Sequence, residues 1–239
     1  MNKSLIIMFV VEIVMTTALI VARILGCGPM TDIILKSLAS LSFVMMGAVG
    51  YSLTRRQPDN ENKKVAVRSA LLILIGFVAS FFGDFFLDID ASVTFILGVV
   101  CFALAHIFYS IAFTIIAKFK HIDILNILGI FAVVMCILRF GGTFDFKGMF
   151  PVLICYGAII SVMVAKAYTV RRNSYIRTNA STIIAAGATL FIISDVILLY
   201  CIFGVNTPEN LTVLNLIVYY LGQGFLALSL GKGLFSSES

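Results

Sequence analysis

Two aspartates lie inside long apolar runs of the sequence, where a carboxylate is costly. Asp84 occurs in the segment ASFFGDFFLD and Asp195 in AAGATLFIISDVILLY. An ionisable group inside a membrane span costs about 2.5–3.5 kcal/mol on insertion scales, so each such group suggests a function. Two carboxylates can divide acid and base work, one donating a proton and the other accepting one. The sequence therefore indicates acid–base chemistry centred on Asp84 and Asp195.

Lys36 is the cation that counting places nearest to the two aspartates. At 1.5 Å per residue along the spans given below, all three residues lie in the half of the membrane farther from the N-terminus. We therefore expect Asp84, Asp195 and Lys36 to form one polar cluster. The alternative is a structural ion pair that orders the helices without doing chemistry. Spacing alone does not separate these two interpretations.

Two more polar side chains are expected deeper in the membrane, below that cluster. His106 occurs in CFALAHIFYSIAF, about one helical turn from Tyr109 and Ser110, and Gln223 occurs in VYYLGQGFLALSL. A lone intramembrane histidine more often makes an interhelical hydrogen bond than it does chemistry. His106 and Gln223 are thus candidates either for helix packing or for the lining of a site.

The remaining ionisable residues of the apolar runs suggest less. Lys166 and Arg139 lie within a turn or two of a helix end, so we expect their charged heads to snorkel to the membrane surface. Glu12 lies nearer the N-terminal side, and the sequence indicates no role for it.

Helices that cross a membrane must position all of these side chains. Of the 239 residues 61% are hydrophobic and 12% charged, with a mean hydropathy of +1.09, whereas soluble domains are roughly 45–50% apolar. A helix needs about 20 apolar residues to cross the bilayer. The polar breaks predict an all-α, polytopic transmembrane bundle of about eight helices in a single domain, residues 1–239. The predicted spans are Ser4–Leu25, Asp32–Leu53, Val65–Leu87, Ser92–Ala117, Ile122–Phe140, Met149–Val170, Ala180–Phe203 and Leu211–Gly231.

The basic residues are distributed unequally between the two sides of this predicted bundle. The side opposite the N-terminus has Arg23, Lys36, Arg139 and Lys147. The side of the N-terminus has Lys3, Arg55, Arg56, Lys63, Lys64, Arg68, Lys118, Lys120, Arg171, Arg172, Arg177 and Lys232. Because basic residues stay in the cytoplasm, we expect both termini to be cytoplasmic and the protein to be a multi-pass protein of the cell (plasma) membrane.

Several other classes of function have little support in the sequence. The net charge of +5 comes from helix ends, which the membrane explains, so no nucleic-acid partner is expected. The five cysteines are scattered without CxxC spacing and are predicted to be small core residues. Two histidines in the whole chain give no metal-site pattern. Since GxSxG, Walker and HExxH motifs are also absent from the sequence, carboxylates are the available acid–base groups.

Five short motifs occur in one order along the eight predicted spans. They are SFFGDFFL, LAHIFYSIAF, CYGAIISVMVAKA, GATLFIISDVIL and YYLGQGFLALS. In these motifs the chain resembles the YhhN family, membrane proteins that include lysoplasmalogenases. The resemblance covers essentially the whole chain. One departure is Ser37 after Lys36, where the family is expected to have proline.

The resemblance implies hydrolysis of the vinyl ether bond of a lysoplasmalogen, which gives a fatty aldehyde and a glycerophospho-base, usually of ethanolamine or choline. It implies no cofactor, and its partners would be the lysolipid substrate and membrane lipids. A vinyl ether hydrolyses when its distal alkene carbon is protonated and water captures the resulting oxocarbenium ion. This chemistry needs one protonated carboxylic acid and one carboxylate.

We hypothesise that Asp84 and Asp195 are the catalytic pair of this reaction. The candidate substrate-binding residues are Lys36, His106, Tyr109, Tyr156, Ser194 and Gln223. The rival hypothesis is a small transporter or proton-coupled permease that uses the same Asp and His residues as a relay. A lipid-binding or structural membrane protein without turnover is the third.

Overall fold

Eight long α-helices make up the computed structural model of the protein. The structure describes residues 3–57, 62–89, 92–173, 176–208 and 210–231. The helices are α1 (Lys3–Ile24), α2 (Pro29–Arg55), α3 (Lys63–Leu87), α4 (Ser92–Ile116), α5 (His121–Phe140), α6 (Phe150–Thr169), α7 (Thr178–Phe203) and α8 (Asn210–Gly231), with one 3₁₀ turn, Val170–Arg172, after α6. Within the described residues all eight helices are long and apolar enough to cross a membrane, and no strand occurs. The predicted all-α, eight-helix fold class is confirmed.

Successive helices run in opposite directions, so the connections lie at two faces of the bundle. We call the end that carries Lys3 the N-terminal face and the other end the opposite face. At the opposite face the start of α2 meets the end of α3 through Lys36 and Asp88, and a backbone bridge joins Phe144 to Gly204. The cytoplasmic location of the N-terminal face stays a prediction. Lys232, which the charge count used, lies outside the described residues.

Small residues allow the helices to pack closely. Helices α2, α3, α4, α6, α7 and α8 follow one another around a shared core, while α1 packs on α2 and α8, and α5 packs on α6. A Cβ atom on Gly187 of α7 would lie 2.9 Å from the carbonyl oxygen of Gly222 of α8. Because that distance is too short for a side chain, this close approach depends on glycine.

Two expectations about individual side chains were wrong. Lys166 does not snorkel: it is fully buried, and its Nζ donates to Oδ2 of Asp123 at 2.9 Å and to the carbonyl oxygen of Ala117 at 2.8 Å. The carboxylate of Asp123 also accepts from Arg172 at 2.7 Å, so local ion pairing replaces contact with water. The cysteines are not core residues, since Cys27, Cys136 and Cys155 are exposed on the bundle and Cys101 and Cys201 are half-buried, all five being free thiols.

Candidate active site

An apolar cavity lies in the half of the bundle nearer the opposite face. It is narrow, with a volume of about 90 Å³. Five helices, α3 to α7, contribute to its wall. The lining residues are Leu87, Phe95, Val99, Phe102, Val134, Leu138, Met149, Leu153, Tyr156, Gly157, Ile160, Ile192, Asp195, Val196, Leu198, Leu199, Ile202 and Phe203. Among the described residues of this wall, Asp195 is the one that can carry a charge.

Asp195 belongs to a compact hydrogen-bonded group, which we call the Asp195 group, formed with Tyr156 and His106. The hydroxyl of Tyr156 donates to Oδ2 of Asp195 at 2.8 Å. Nε2 of His106 lies 3.2 Å from the same oxygen and 2.8 Å from the Tyr156 hydroxyl. His106 is fully buried and its ring packs edge-on against Phe191, with 4.7 Å between the centroids. Three groups able to hold or pass a proton thus meet at the wall of an apolar cavity.

Asp84 is the centre of a second group, deeper in the protein and away from the cavity wall. Its Oδ2 accepts from Ser40 at 2.6 Å and from Tyr219 at 2.8 Å. Nζ of Lys36 lies 3.8 Å from Oδ1 of Asp84 and 2.7 Å from Oδ1 of Asp88. Helices α2, α3 and α8 therefore meet at this carboxylate, whose Oδ2 accepts two hydrogen bonds and whose Oδ1 has the Lys36 ammonium as its charged neighbour.

Hydrogen bonds extend the Asp84 group toward the middle of the membrane. Nε2 of Gln223 donates to the Tyr219 hydroxyl at 3.2 Å, and the Tyr109 hydroxyl donates to Oε1 of Gln223 at 3.1 Å. Each side chain donates to the next one, from Tyr109 to Gln223, then to Tyr219 and finally to Asp84. All four side chains are buried, so this chain belongs to the interior of the bundle and not to the lipid-facing surface.

An aromatic layer separates the two groups. The ring of Tyr219 meets Phe191 edge-on at 5.5 Å and Phe102 at 5.9 Å. Phe191 in turn packs against His106 of the Asp195 group. Among the described residues no hydrogen bond or ion pair joins the two carboxylates or connects Lys36 with Asp195. The prediction of a single cluster was wrong. The structure has two polar groups with an apolar layer between them.

Comparison with known proteins places the whole arrangement in a family. Residues 31–230 match the model of the YhhN family. The chain belongs to the YhhN family. The match spans α2 to α8, so it includes both polar groups and the whole cavity wall. No curated protein and no solved structure matches the chain. YhhN membership confirms the suspected resemblance and agrees with a membrane protein of eight spans.

In this YhhN protein the predicted substrate-binding residues divide between the two groups. Tyr156 lines the cavity, and His106 makes a hydrogen bond with the Tyr156 hydroxyl. Lys36, Tyr109 and Gln223 lie with Asp84 and away from the cavity wall. Ser194 is buried with its hydroxyl on the carbonyl oxygen of Phe191 at 2.8 Å, and it does not line the cavity. Gln223 and His106 were both expected below one shared cluster, whereas Gln223 lies in the Asp84 group and His106 lies beside Asp195.

Sequence reasoning missed two side chains that bind Asp84, Ser40 and Tyr219. Each lies four positions from a candidate residue of the sequence analysis. Ser40 comes four residues after Lys36, and Tyr219 comes four residues before Gln223. Residues four apart on a helix lie on one face. That spacing was the available signal for both. It applies also to Asp88, four residues after Asp84, which binds Lys36.

No metal site is evident in the part of the chain that the structure describes. Within it no group of three or more His, Cys, Asp or Glu side chains lies close enough to hold an ion. The cavity wall has one carboxylate and one phenol among apolar side chains. Such a wall suits a hydrocarbon chain and a proton donor, so proton transfer is the chemistry that these residues can support.

Proposed function

We propose that this protein is a lysoplasmalogenase, an ether hydrolase that cleaves the vinyl ether bond of a lysoplasmalogen in the cell membrane. The products would be a fatty aldehyde and a glycerophospho-base of the ethanolamine or choline type. One observation carries the proposal: Asp195 and Tyr156 interrupt the wall of an otherwise apolar cavity. A single proton donor beside a space for hydrocarbon matches a substrate whose reactive bond joins a long chain to glycerol.

Asp195 has the position that such a reaction needs. It lies eight residues before Phe203, the last residue of α7, which puts it about 12 Å below that end at 1.5 Å per residue. The ether of a lysolipid lies below the headgroup at the level of the glycerol, in the same half of the membrane. The apolar side chains around Asp195 would hold the first carbons of the alkenyl chain and exclude bulk water from the reacting atoms.

The first step would be transfer of the Asp195 carboxyl proton to the distal alkene carbon. The C=C π electrons form the new C–H bond, and a lone pair of the ether oxygen gives an oxocarbenium ion. The carboxylate left on Asp195 lies beside that cation and stabilises it electrostatically. Tyr156 and His106 position the carboxylate through their bonds to Oδ2. This role of Asp195 resembles the acid work of the carboxyl groups in glycoside hydrolysis.

Water would complete the reaction at the carbon that bears the ether oxygen. As the water oxygen bonds to that carbon, His106 or Asp195 accepts one of its protons and a hemiacetal forms. The hemiacetal then breaks its bond to the glycerol oxygen, which takes a proton, while the hydroxyl proton leaves and the C=O of the aldehyde forms. The sum is one vinyl ether plus one water to one alcohol plus one aldehyde. No electron acceptor is needed.

Asp84 keeps a place in the proposal as the second carboxylate, in a supporting role. Its bond to Tyr219 fixes a ring that packs on Phe102, and Phe102 forms part of the cavity wall. Asp84 would act through Tyr219 as a positioning residue. A transport relay, the alternative, needs polar groups that continue to both faces. Beyond Tyr109 on the way to the N-terminal face, the buried hydroxyls of Ser69 and Ser110 bond to backbone carbonyl oxygens of α4 and not to one another, which favours hydrolysis over transport.

Aldehyde release from a purified sample in detergent tests the proposal. The substrate is a lysoplasmenylethanolamine, and the control is the saturated ether analogue, which has no alkene carbon to protonate. We expect aldehyde from the first substrate only, and loss of that activity in Asp195→Asn. Equal cleavage of the saturated ether would exclude this mechanism. Substrate movement that appears only in sealed vesicles, without any aldehyde, would support the transporter instead.

A further inference from the structure

Five charged side chains form a connected line at the opposite face of the bundle. Asp32 pairs with Nε of Arg23 at 2.9 Å, Nη2 of Arg23 lies 3.7 Å from Oδ1 of Asp88, and Lys36 joins Asp88 to Asp84. The exposed fraction of the side chain falls from 26% at Asp32 to 5% at Asp84. The line therefore runs from the membrane surface into the protein interior, and we call it the ionic line.

One link of the ionic line is incomplete. The 3.7 Å separation of Arg23 and Asp88 is longer than a hydrogen bond. Among the described residues, Arg23 makes one hydrogen bond, from Nε to Asp32, although a guanidinium has five donors. On the Asp88 carboxylate, Oδ1 is the oxygen whose contact with Arg23 is 3.7 Å, whereas Oδ2 is buried and has no hydrogen-bond partner among the described residues. The Asp88 carboxylate beside Arg23 thus has one oxygen, Oδ1, that accepts from Lys36 and one, Oδ2, that has no donor in the described part of the chain.

This link lies beside the cavity. Leu87 is the last residue of α3 and lines the cavity, and Asp88 follows it directly. The two side chains leave the end of α3 in different directions, one toward the apolar space and the other toward Arg23 and Lys36. A lysolipid could therefore extend its hydrocarbon chain into the cavity while its headgroup lies over the end of α3.

We propose that Arg23 and Asp88 bind a zwitterionic headgroup, a phosphodiester that carries a primary ammonium, an inference that rests on the proposed function. The phosphate accepts from the guanidinium of Arg23, which suits it through paired N–H donors. The ammonium donates to Oδ2 of Asp88. A primary ammonium has three N–H donors, whereas the quaternary ammonium of choline has none. The site selects ethanolamine over choline for that reason.

Binding measurements on the full-length protein in detergent test this site without relying on turnover. The probes are 1-acyl lysophospholipids, which have no vinyl ether, with ethanolamine, choline or glycerol headgroups. We expect wild-type protein to bind the ethanolamine lipid roughly tenfold more tightly than the other two, since only its ammonium can donate a charge-assisted hydrogen bond to Asp88. Equal affinity for all three lipids in the wild type would overturn the proposal, whatever the variants do.

Two variants assign the headgroup contacts to residues. Asp88→Asn should remove the preference for ethanolamine and leave affinity for the glycerol lipid unchanged, while Arg23→Gln should weaken all three lipids. Asp145→Asn and Arg139→Gln are the matched controls, because both residues are exposed near the same face. If the controls lower affinity as much as Asp88→Asn and Arg23→Gln do, general surface charge explains binding and the site is excluded.

Two further arms separate this inference from the proposed function and from a soluble ligand. Glycerophosphoethanolamine has the same headgroup without a chain, and it should bind far more weakly than the lysolipid. Equal binding of both would assign the site to a soluble phosphate ester and overturn the lipid proposal. Aldehyde release without headgroup preference would contradict the site alone. Headgroup preference without aldehyde release would contradict the hydrolase alone.

Discussion

Tyr219 donates its phenolic hydrogen to Oδ2 of Asp84 at 2.8 Å, and the same ring forms part of the boundary between the two acids. Through its edge contacts with Phe191 and Phe102, Tyr219 separates Asp84 from the cavity wall on which Asp195 lies. The two carboxylates, which look equivalent in the sequence, therefore differ in their access to a substrate. That difference leads to distinct expectations for their variants.

The cavity should hold the hydrocarbon chain of the substrate. Leu199→Trp adds volume to its wall, and we expect KM for a long-chain substrate to rise about tenfold or more because the chain can no longer occupy the space. A short-chain substrate should be affected much less. Val133→Trp is the control, since Val133 of α5 is exposed on the lipid-facing surface. Steady-state aldehyde release with both chain lengths decides the matter, and an equal loss with both would mean a general packing defect.

The ion pairs at the N-terminal face should serve stability and not turnover. Asp123→Ala leaves the fully buried Lys166 without its carboxylate, and breaking a buried pair from one side costs about 3–5 kcal/mol. We expect a lower thermal midpoint with kcat unchanged at temperatures where the variant is folded. The control is Asp145→Ala, which removes an exposed carboxylate on the connection between α5 and α6 and should leave the thermal midpoint unchanged. A loss of kcat in folded Asp123→Ala would give this cluster a functional role.

Much of the fold could be predicted because hydrocarbon thickness sets the length of a span. Polar breaks ended each apolar run, and the predicted start of the second span at Asp32 differs from the observed start of α2 only by one turn. Pro29 occupies the first turn of α2. A proline fits there because backbone N–H groups of the first turn have no partner within the helix. A composition rule marks proline as a break, so the prediction began the helix after it.

For the residues of the site, the sequence could predict only their depth in the membrane. Counting residues placed Asp84, Lys36 and Asp195 in the correct half of the bundle, but the direction of each side chain around its helix needs a polar face. Helices such as α3 and α7 are apolar on nearly all sides, so no face is marked by the sequence. The separation of Asp84 from Asp195 by Phe191 depends on those rotations, and so does the burial of Lys166.

Glu12 offers a test of an intramembrane carboxylate without a partner. It is 1% exposed, and neither carboxylate oxygen has a hydrogen-bond partner in the described part of the chain. A Cβ atom on Gly224 would lie 2.7 Å from its Oε2, so the side chain is packed against α8. Burying an unpaired polar group costs about 1–3 kcal/mol by protein mutational data. Glu12→Met should therefore raise the thermal midpoint and keep kcat, whereas Glu12→Gln should change the midpoint little. Loss of activity in both variants would show that Glu12 belongs to the functional machinery.

The cytoplasmic position of both termini can be tested with labels on a cysteine-free background. A cysteine at the exposed Asn206, on the connection between α7 and α8, should react with a membrane-impermeant maleimide added to intact cells. A cysteine at Lys120, on the connection between α4 and α5 at the N-terminal face, should react only after the membrane is permeabilised. The reverse pattern would invert the orientation that the basic residues predict.

The strongest test compares the two acids directly. Asp195→Asn keeps the volume of the side chain but cannot donate or accept the catalytic proton, so kcat should fall by about 10²–10⁴-fold. Asp84→Asn should cause a smaller loss, and Tyr219→Phe should reproduce it, because Asp84 acts through the Tyr219 ring. In the double variant Asp84→Asn with Tyr219→Phe the two losses should not add, since one interaction is removed twice. Rates of aldehyde release from one lysoplasmenylethanolamine, measured for proteins with matched thermal midpoints, provide all of these comparisons.

A loss in Asp84→Asn as large as that in Asp195→Asn, with no further loss on combining the two, would make Asp84 a direct catalytic partner. Full activity in Asp195→Asn would remove the proposed mechanism altogether.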